Sequence, residues 1–137
     1  MAHAHLAFEL DGFEDPCETV AENINGIHGK ALAEYVAHEL SMRGYNVSDI
    51  WPEDHGWDFE ASKENRAYLL ACCVTPSGDE QPKELRNEAH ITWSRKRSFI
   101  DALRGRNALG SEDESVADLR DIAAGLDVRN QPQFDIA

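Results

Sequence analysis

Ala67-Tyr-Leu-Leu-Ala-Cys-Cys-Val74 is a run without a single charged residue. A strand that is buried on both faces has such a continuous run, whereas a strand with one wet face alternates between apolar and polar residues. The length also fits a strand better than a helix. This run therefore predicts the central strand of a sheet.

Three further segments alternate apolar and polar residues, which is typical of strands with one buried and one wet face. They are His3–Leu10, Trp57–Ser62 and Glu88–Ser94. The four polar residues of Lys63–Arg66 separate two of the strands and favour a hairpin loop. Together with a short extended segment near residue 47, the pattern predicts an antiparallel sheet of four to five strands.

Helical periodicity occurs in three segments. Apolar residues in Ile27–Arg43 recur at steps of three and four, so this is the main amphipathic helix. Two more helices are expected near the C-terminus, a short one over residues 98–105 and one that opens with a capping box at Ser111. The predicted fold is α+β, with one long helix after the first strand, two C-terminal helices, and the helices packed mainly on one face of the sheet.

The length and charge of the chain limit its organisation and its partners. A chain of 137 residues is expected to form a single domain over residues 1–137. Its tail, residues 129–137, is either mobile or docked through Phe134 and Ile136. The formal charge of −13 repels phosphate backbones and attracts basic proteins or cations, so nucleic acid is not expected as a partner.

The absence of two kinds of segment sets the expected location. The sequence has no apolar run of membrane-spanning length and no secretory leader. Cys17, Cys72 and Cys73 are an odd number, and adjacent cysteines in a strand point to opposite faces, so all three are expected to be reduced. We therefore expect a cytoplasmic protein that does not contact a membrane.

The densest run of unusual residues is Trp51-Pro-Glu-Asp-His-Gly-Trp57. As a functional segment it is a recognition loop, in which Glu53 and Asp54 supply carboxylates and His55 supplies a group that titrates near neutral pH. As a structural segment it is a turn that Trp51 and Trp57 pin to the core. Both interpretations remain open, and these residues are the predicted binding site.

A second candidate site is the polar face of the predicted sheet. Its expected members are His3, His5, Glu9, Asp58, Glu60, Glu88 and His90. Imidazoles and carboxylates are ligands for zinc and similar ions, which makes His3, His5 and His90 the candidate metal ligands. However, wet sheet faces are ordinarily polar, and no pair has the tight spacing of a known metal motif. We therefore predict neither a metal nor another cofactor.

These patterns favour a binding protein over an enzyme. The sequence contains no nucleophile elbow, phosphate-binding glycine loop or dinucleotide fingerprint. The leading hypothesis is an inhibitor, immunity-type protein or regulatory module that acts on a basic protein. The alternative is a small ligand-binding domain or metal-dependent enzyme that uses the polar sheet face or the turn Glu53–His55. A homodimer whose two copies cover that face is a third hypothesis.

Overall fold

The structure is a computed structural model that describes residues 3–76, 87–96, 109–126 and 133–136. These residues form one antiparallel sheet of seven strands and three helices. The strands are β1 (Ala4–Leu10), β2 (Asn46–Val47), β3 (Trp51–Glu53), β4 (Gly56–Lys63), β5 (Arg66–Thr75), β6 (Asn87–Lys96) and β7 (Gln133–Ile136). The helices are α1 (Cys17–Val20), α2 (Lys30–Met42) and α3 (Glu114–Ala124). The order across the sheet is β2-β4-β5-β6-β1-β7, and β3 also pairs with β4.

The predicted fold class is wrong in its element count. The sheet has seven strands instead of four to five, and the described helices are three small ones instead of one long helix and two C-terminal helices. The short strands β2, β3 and β7 are two, three and four residues long, and β2 is the extended segment predicted near residue 47. Strand β3 is too short to show a period-2 pattern in the sequence, whereas the four residues of β7 do alternate. The helix predicted over residues 98–105 lies outside the described residues.

One face of the sheet packs against the two longer helices. Helix α2 contributes Leu32, Val36 and Leu40 to the core, and α3 contributes Leu119 and Ile122. The buried strand residues that meet them include Leu6, Phe8, Leu10, Trp57, Phe59, Tyr68, Leu70, Ile91 and Trp93. The alternating residues of the same strands therefore face away from the helices.

The N-cap of helix α3 lies two positions later than the predicted capping box at Ser111. Asp113 is the N-cap, and its carboxylate accepts a hydrogen bond from the Ser115 backbone nitrogen. Two buried sheet residues fix the same turn, since the Tyr68 hydroxyl donates to Asp113 and the Trp93 indole nitrogen donates to the Ser115 hydroxyl at 3.0 Å. These bonds hold α3 on the helical face of the sheet.

Helix α2 is capped by a residue far from it in sequence. The buried Asp15 carboxylate accepts from the backbone nitrogens of Gly29, Lys30 and Ala31 at 2.7, 2.9 and 2.9 Å. Three of the four N–H groups that a helix leaves without an internal partner are thus satisfied by one carboxylate. The loop before α2 is therefore fixed to the helix start.

The tail residues Gln133–Ile136 form the edge strand β7, which pairs with β1. Phe134 packs beside Trp93 with 6.2 Å between the ring centroids, and Ile136 also packs against the core. The contact places Asp135 opposite His5 across the two strands.

Candidate functional site

The segment Trp51–Trp57 is a β-hairpin. Strand β3 pairs with the beginning of β4, so Asp54 and His55 form the turn between them. Trp51 is opposite Asp58 in this pairing, and residues that face each other in an antiparallel pair project from the same side of the sheet. The hairpin therefore brings Trp51 and Asp58 to the sheet face that none of the described helices covers, which we call the open sheet face.

A buried asparagine fixes the hairpin to the preceding loop. The Asn23 side-chain nitrogen donates to the carbonyl oxygens of Glu53 and Gly56 at 2.8 and 3.0 Å. Its side-chain oxygen accepts from the backbone nitrogens of Asn25 and Ile27. One side chain thus joins two segments about 30 residues apart and restricts the position of the turn.

Gly56 is required where the hairpin enters β4. A Cβ atom at this position would lie 2.5 Å from the Cys72 carbonyl oxygen of the neighbouring strand β5. Contacts that short are forbidden, so only glycine permits the two backbones to approach this closely. The approach brings the adjacent residue, His55, to the edge of the open sheet face.

His55 and Asp58 form an imidazole–carboxylate pair. Both Asp58 oxygens contact His55 Nε2, at 2.8 and 3.0 Å, and Asp54 contacts the other ring nitrogen at 3.1 Å. Burial alone would lower the pKa of His55, but the attraction of Asp58 outweighs it and the pKa is raised. Burial raises the pKa of Asp58, and the neighbouring His55 only partly offsets that effect. The pair therefore retains a shared proton to higher pH than a free histidine would.

A second imidazole group lies on β1 and β6. His5 Nε2 is 2.8 Å from His90 Nδ1, and His90 Nε2 is 2.8 Å from a Glu88 carboxylate oxygen. If the Glu88 carboxylate accepts from His90, then His90 accepts from His5, which fixes the tautomers of both neutral rings. Burial, followed by the charge of His90, lowers the pKa of His5, although Asp135 and Glu88 oppose that effect.

Both imidazole groups border one cavity of about 340 Å³ on the open sheet face, which we call the cleft. Its floor is β5, where Leu69 and Ala71 are partly exposed beside Cys73. The polar side chains around the cleft are those of His3, His55, Asp58, His90, Thr92 and Ser94. An apolar floor with a few polar groups at its sides is typical of a site for a small molecule.

The structure separates the predicted binding residues. Trp57 is a core residue whose indole nitrogen donates to the Ile27 carbonyl oxygen at 2.8 Å. Trp51 is half-buried and donates to the exposed Glu53 carboxylate at 2.8 Å. Asp54 and His55 lie at the exposed turn, where only His55 borders the cleft. The turn thus combines a structural tryptophan with polar residues that remain accessible.

The three candidate metal ligands lie on or beside strands β1 and β6. His5 contacts His90, and His3 borders the cleft together with His90. Within the described part of the chain, no group of three His, Cys, Asp or Glu side chains is arranged to hold a metal ion. Both ring nitrogens of His90 are in contact with neighbouring side chains, His5 on one side and Glu88 on the other.

Sequence reasoning missed Thr92, Ser94 and Cys73 as residues of the cleft. The sequence did contain a signal for the cleft, because the run Ala67–Val74 is apolar on both faces of its strand. In the described structure, no helix covers one of those two faces. Apolar residues on an otherwise wet face indicate a binding surface.

Comparisons with known proteins identify no relative. No protein-family model, curated protein or solved structure matches this chain. Within the described residues, none of the helices is long and apolar enough to cross a membrane.

Proposed function

We propose that this protein is a small-molecule-binding domain whose ligand lies in the cleft on the open sheet face. One observation carries the proposal: His55 and His90, each in contact with a carboxylate, border the same cavity above an apolar strand. The pKa values of His55 and Asp58 are both raised, and groups with shifted pKa values beside a cavity are typical of binding and catalytic sites. The hairpin and the polar sheet face then act together as one site.

Two features support binding of a ligand in preference to a purely structural role. The floor residues Leu69 and Ala71 offer apolar contact area, and the hydrogen bonds of Asn23 fix the hairpin that contributes His55. When the site is already ordered, binding of a ligand does not have to include the free-energy cost of ordering loops and side chains. The volume of about 340 Å³ suits a molecule of one or two rings.

The test is a fragment screen by ligand-observed NMR on the wild type and two variants. Ala71→Phe fills the cleft from its floor, because Ala71 faces the cavity between Asp58 and Thr92. Ala67→Phe is the matched control, since it lies on the same strand and face but does not border the cleft. We expect hits that bind the wild type and the control but not Ala71→Phe.

Hits that bind Ala71→Phe as well as the wild type would contradict the proposal, and so would a screen without hits. Sedimentation velocity on the same samples tests the alternative of a homodimer that covers the open face. In that case Ala71→Phe would change the sedimentation coefficient as well as fragment binding.

The second candidate function is binding of a basic protein through the hairpin, and one observation favours it. Ile24 is 85% exposed, and both of its neighbours, Asn23 and Asn25, are hydrogen-bonded to the hairpin backbone. The exposed carboxylates of Glu53 and Asp54 belong to the turn that these bonds reach. A rigid apolar side chain beside acidic groups resembles the centre and rim of a protein interface.

This candidate has its own matched pair of variants. Ile24→Ser removes the exposed side chain beside the hairpin, and Met42→Ser removes one that is 71% exposed at the end of α2. In a pull-down from source cells, a basic partner should be lost with Ile24→Ser and retained with Met42→Ser. Equal recovery with both variants would rule out this surface.

A further inference from the structure

We propose that the ligand of the cleft is a small organic cation, an amine or amidine attached to an apolar ring, whose charged nitrogen donates hydrogen bonds to Asp58. This inference rests on the proposed function and names the class of molecule that the cleft would take.

Asp58 is a carboxylate with unused acceptor capacity at a cavity wall. Its side chain is only 5% exposed, and it borders the cleft. Among the described residues, the single donor within hydrogen-bond distance is His55 Nε2, which both carboxylate oxygens share. An ionised carboxylate accepts about four hydrogen bonds, and a buried one is costly unless they are supplied. A ligand with several N–H groups would supply them.

The surrounding charge favours a cation over an anion. Glu53 and Asp54 are close enough to Asp58 to raise its pKa by repulsion. The chain as a whole carries a formal charge of −13. Asp58 is the one carboxylate among the described residues that line the cleft, and the negative field of the chain attracts cations and repels anions.

The floor of the cleft suggests an apolar body for the ligand. Leu69 and Ala71 lie on β5, and Ala71 is directly opposite Asp58 on β4. If the ring of a ligand contacts these two residues, an amine that is joined to the ring by a short linker would lie near the Asp58 carboxylate.

Three probes of equal shape test the charge of the ligand: phenethylamine, phenethyl alcohol and phenylacetate. We expect calorimetry or NMR titration to show that the amine binds about tenfold or more tightly than the alcohol, because a hydrogen bond to a charged group contributes more than a neutral one. Phenylacetate should bind most weakly. Asp58→Asn keeps the size of the side chain and should abolish the preference for the amine.

A second variant keeps the test decisive if Asp58→Asn does not fold. His55 is exposed over 54% of its side chain, and His55→Ala removes the internal partner of Asp58. At mildly alkaline pH, where Asp58 remains ionised, this variant should bind the amine more tightly than the wild type does. An amine affinity that is unchanged or weaker in His55→Ala would overturn the inference.

The outcomes separate this inference from the function on which it rests. If the alcohol or phenylacetate binds as well as the amine, and Ala71→Phe abolishes that binding, the cation class is wrong and the cleft remains a binding site. If none of the three probes binds, the cation class is also overturned. The fragment screen with Ala71→Phe then decides separately whether the cleft binds small molecules at all.

Discussion

Replacing Asn23 with alanine should both destabilise the protein and disorder the hairpin. The change removes two donated and two accepted hydrogen bonds. A net hydrogen bond contributes about 1 kcal/mol, and an unsatisfied buried group costs about 1–3 kcal/mol. Only the bond to the Gly56 carbonyl oxygen is fully buried, so water can replace part of the other three. We expect Asn23→Ala to lower the free energy of unfolding by about 3 kcal/mol.

Two further variants test the origin of that loss. Asn25→Ala removes one exposed hydrogen bond to the Asp54 carbonyl oxygen and is the control, with an expected change within about 0.5 kcal/mol. Asn23→Asp keeps the oxygen that accepts from the loop but loses both donors to the hairpin. Because it also places a carboxylate oxygen against those two carbonyl oxygens, it should destabilise the protein at least as much as Asn23→Ala does.

Urea unfolding followed by far-UV circular dichroism measures these differences as shifts in midpoint at constant slope. The hairpin also contributes His55 to the cleft, so Asn23→Ala should weaken fragment binding even where the protein is fully folded. The reasoning is refuted if Asn23→Ala is no less stable than Asn25→Ala. It is equally refuted if fragments bind the folded Asn23→Ala variant as tightly as the wild type.

Three further predictions follow from single sites. Asp15→Asn retains only one of the two oxygens that accept from the first turn of α2, so unfolding should cost about 2 kcal/mol less, and an unchanged urea midpoint would contradict that cap. A thiol reagent should modify the exposed Cys17 first and the buried Cys72 only on unfolding, because burial raises the Cys72 pKa; mass spectrometry of the peptides would expose a different order. The pKa of His55 is raised beside Asp58, so protonated His55 stabilises the folded protein fully below the ordinary histidine pKa and this stabilisation is lost as pH rises through the folded-state pKa. His55→Asn should remove this pH dependence from the free energy of unfolding. Parallel pH profiles for the wild type and the variant would refute the prediction.

The long strands could be predicted because their patterns are long enough to read. Leu6, Phe8 and Leu10 are all buried in β1, and Ala89, Ile91 and Trp93 are all buried in β6, as the alternation of each segment predicts. Strands β2 and β3 are two and three residues long and depend on pairing with the longer strand β4. In β7, Phe134 and Ile136 alternate with polar residues, but the sequence does not show that they pair with β1. Tertiary context therefore determined the part of the fold that the sequence prediction missed.

The cleft could be predicted only in part for the same reason. Periodicity indicates that His5 and His90 lie on a polar face, but their contact requires β1 and β6 to be neighbours in a particular register. The pairing of His55 with Asp58 depends on the tight turn at Gly56, which packs against β5. The residue types in the sequence pointed to the members of the His55–Asp58 pair and of the His5–His90 pair as candidates. That residues of both pairs border one cavity depends on the order of the strands in the sheet.

The most direct test of the central claim, that the cleft binds a small molecule, is a methyl NMR titration with a fragment hit. We expect the methyl signals of Leu69, Ala71 and Thr92 to shift together and to fit one dissociation constant, while the Ala67 signal on the same face remains in place. Shifts centred on residues outside the cleft, or an equal shift of Ala67, would contradict binding in the cleft.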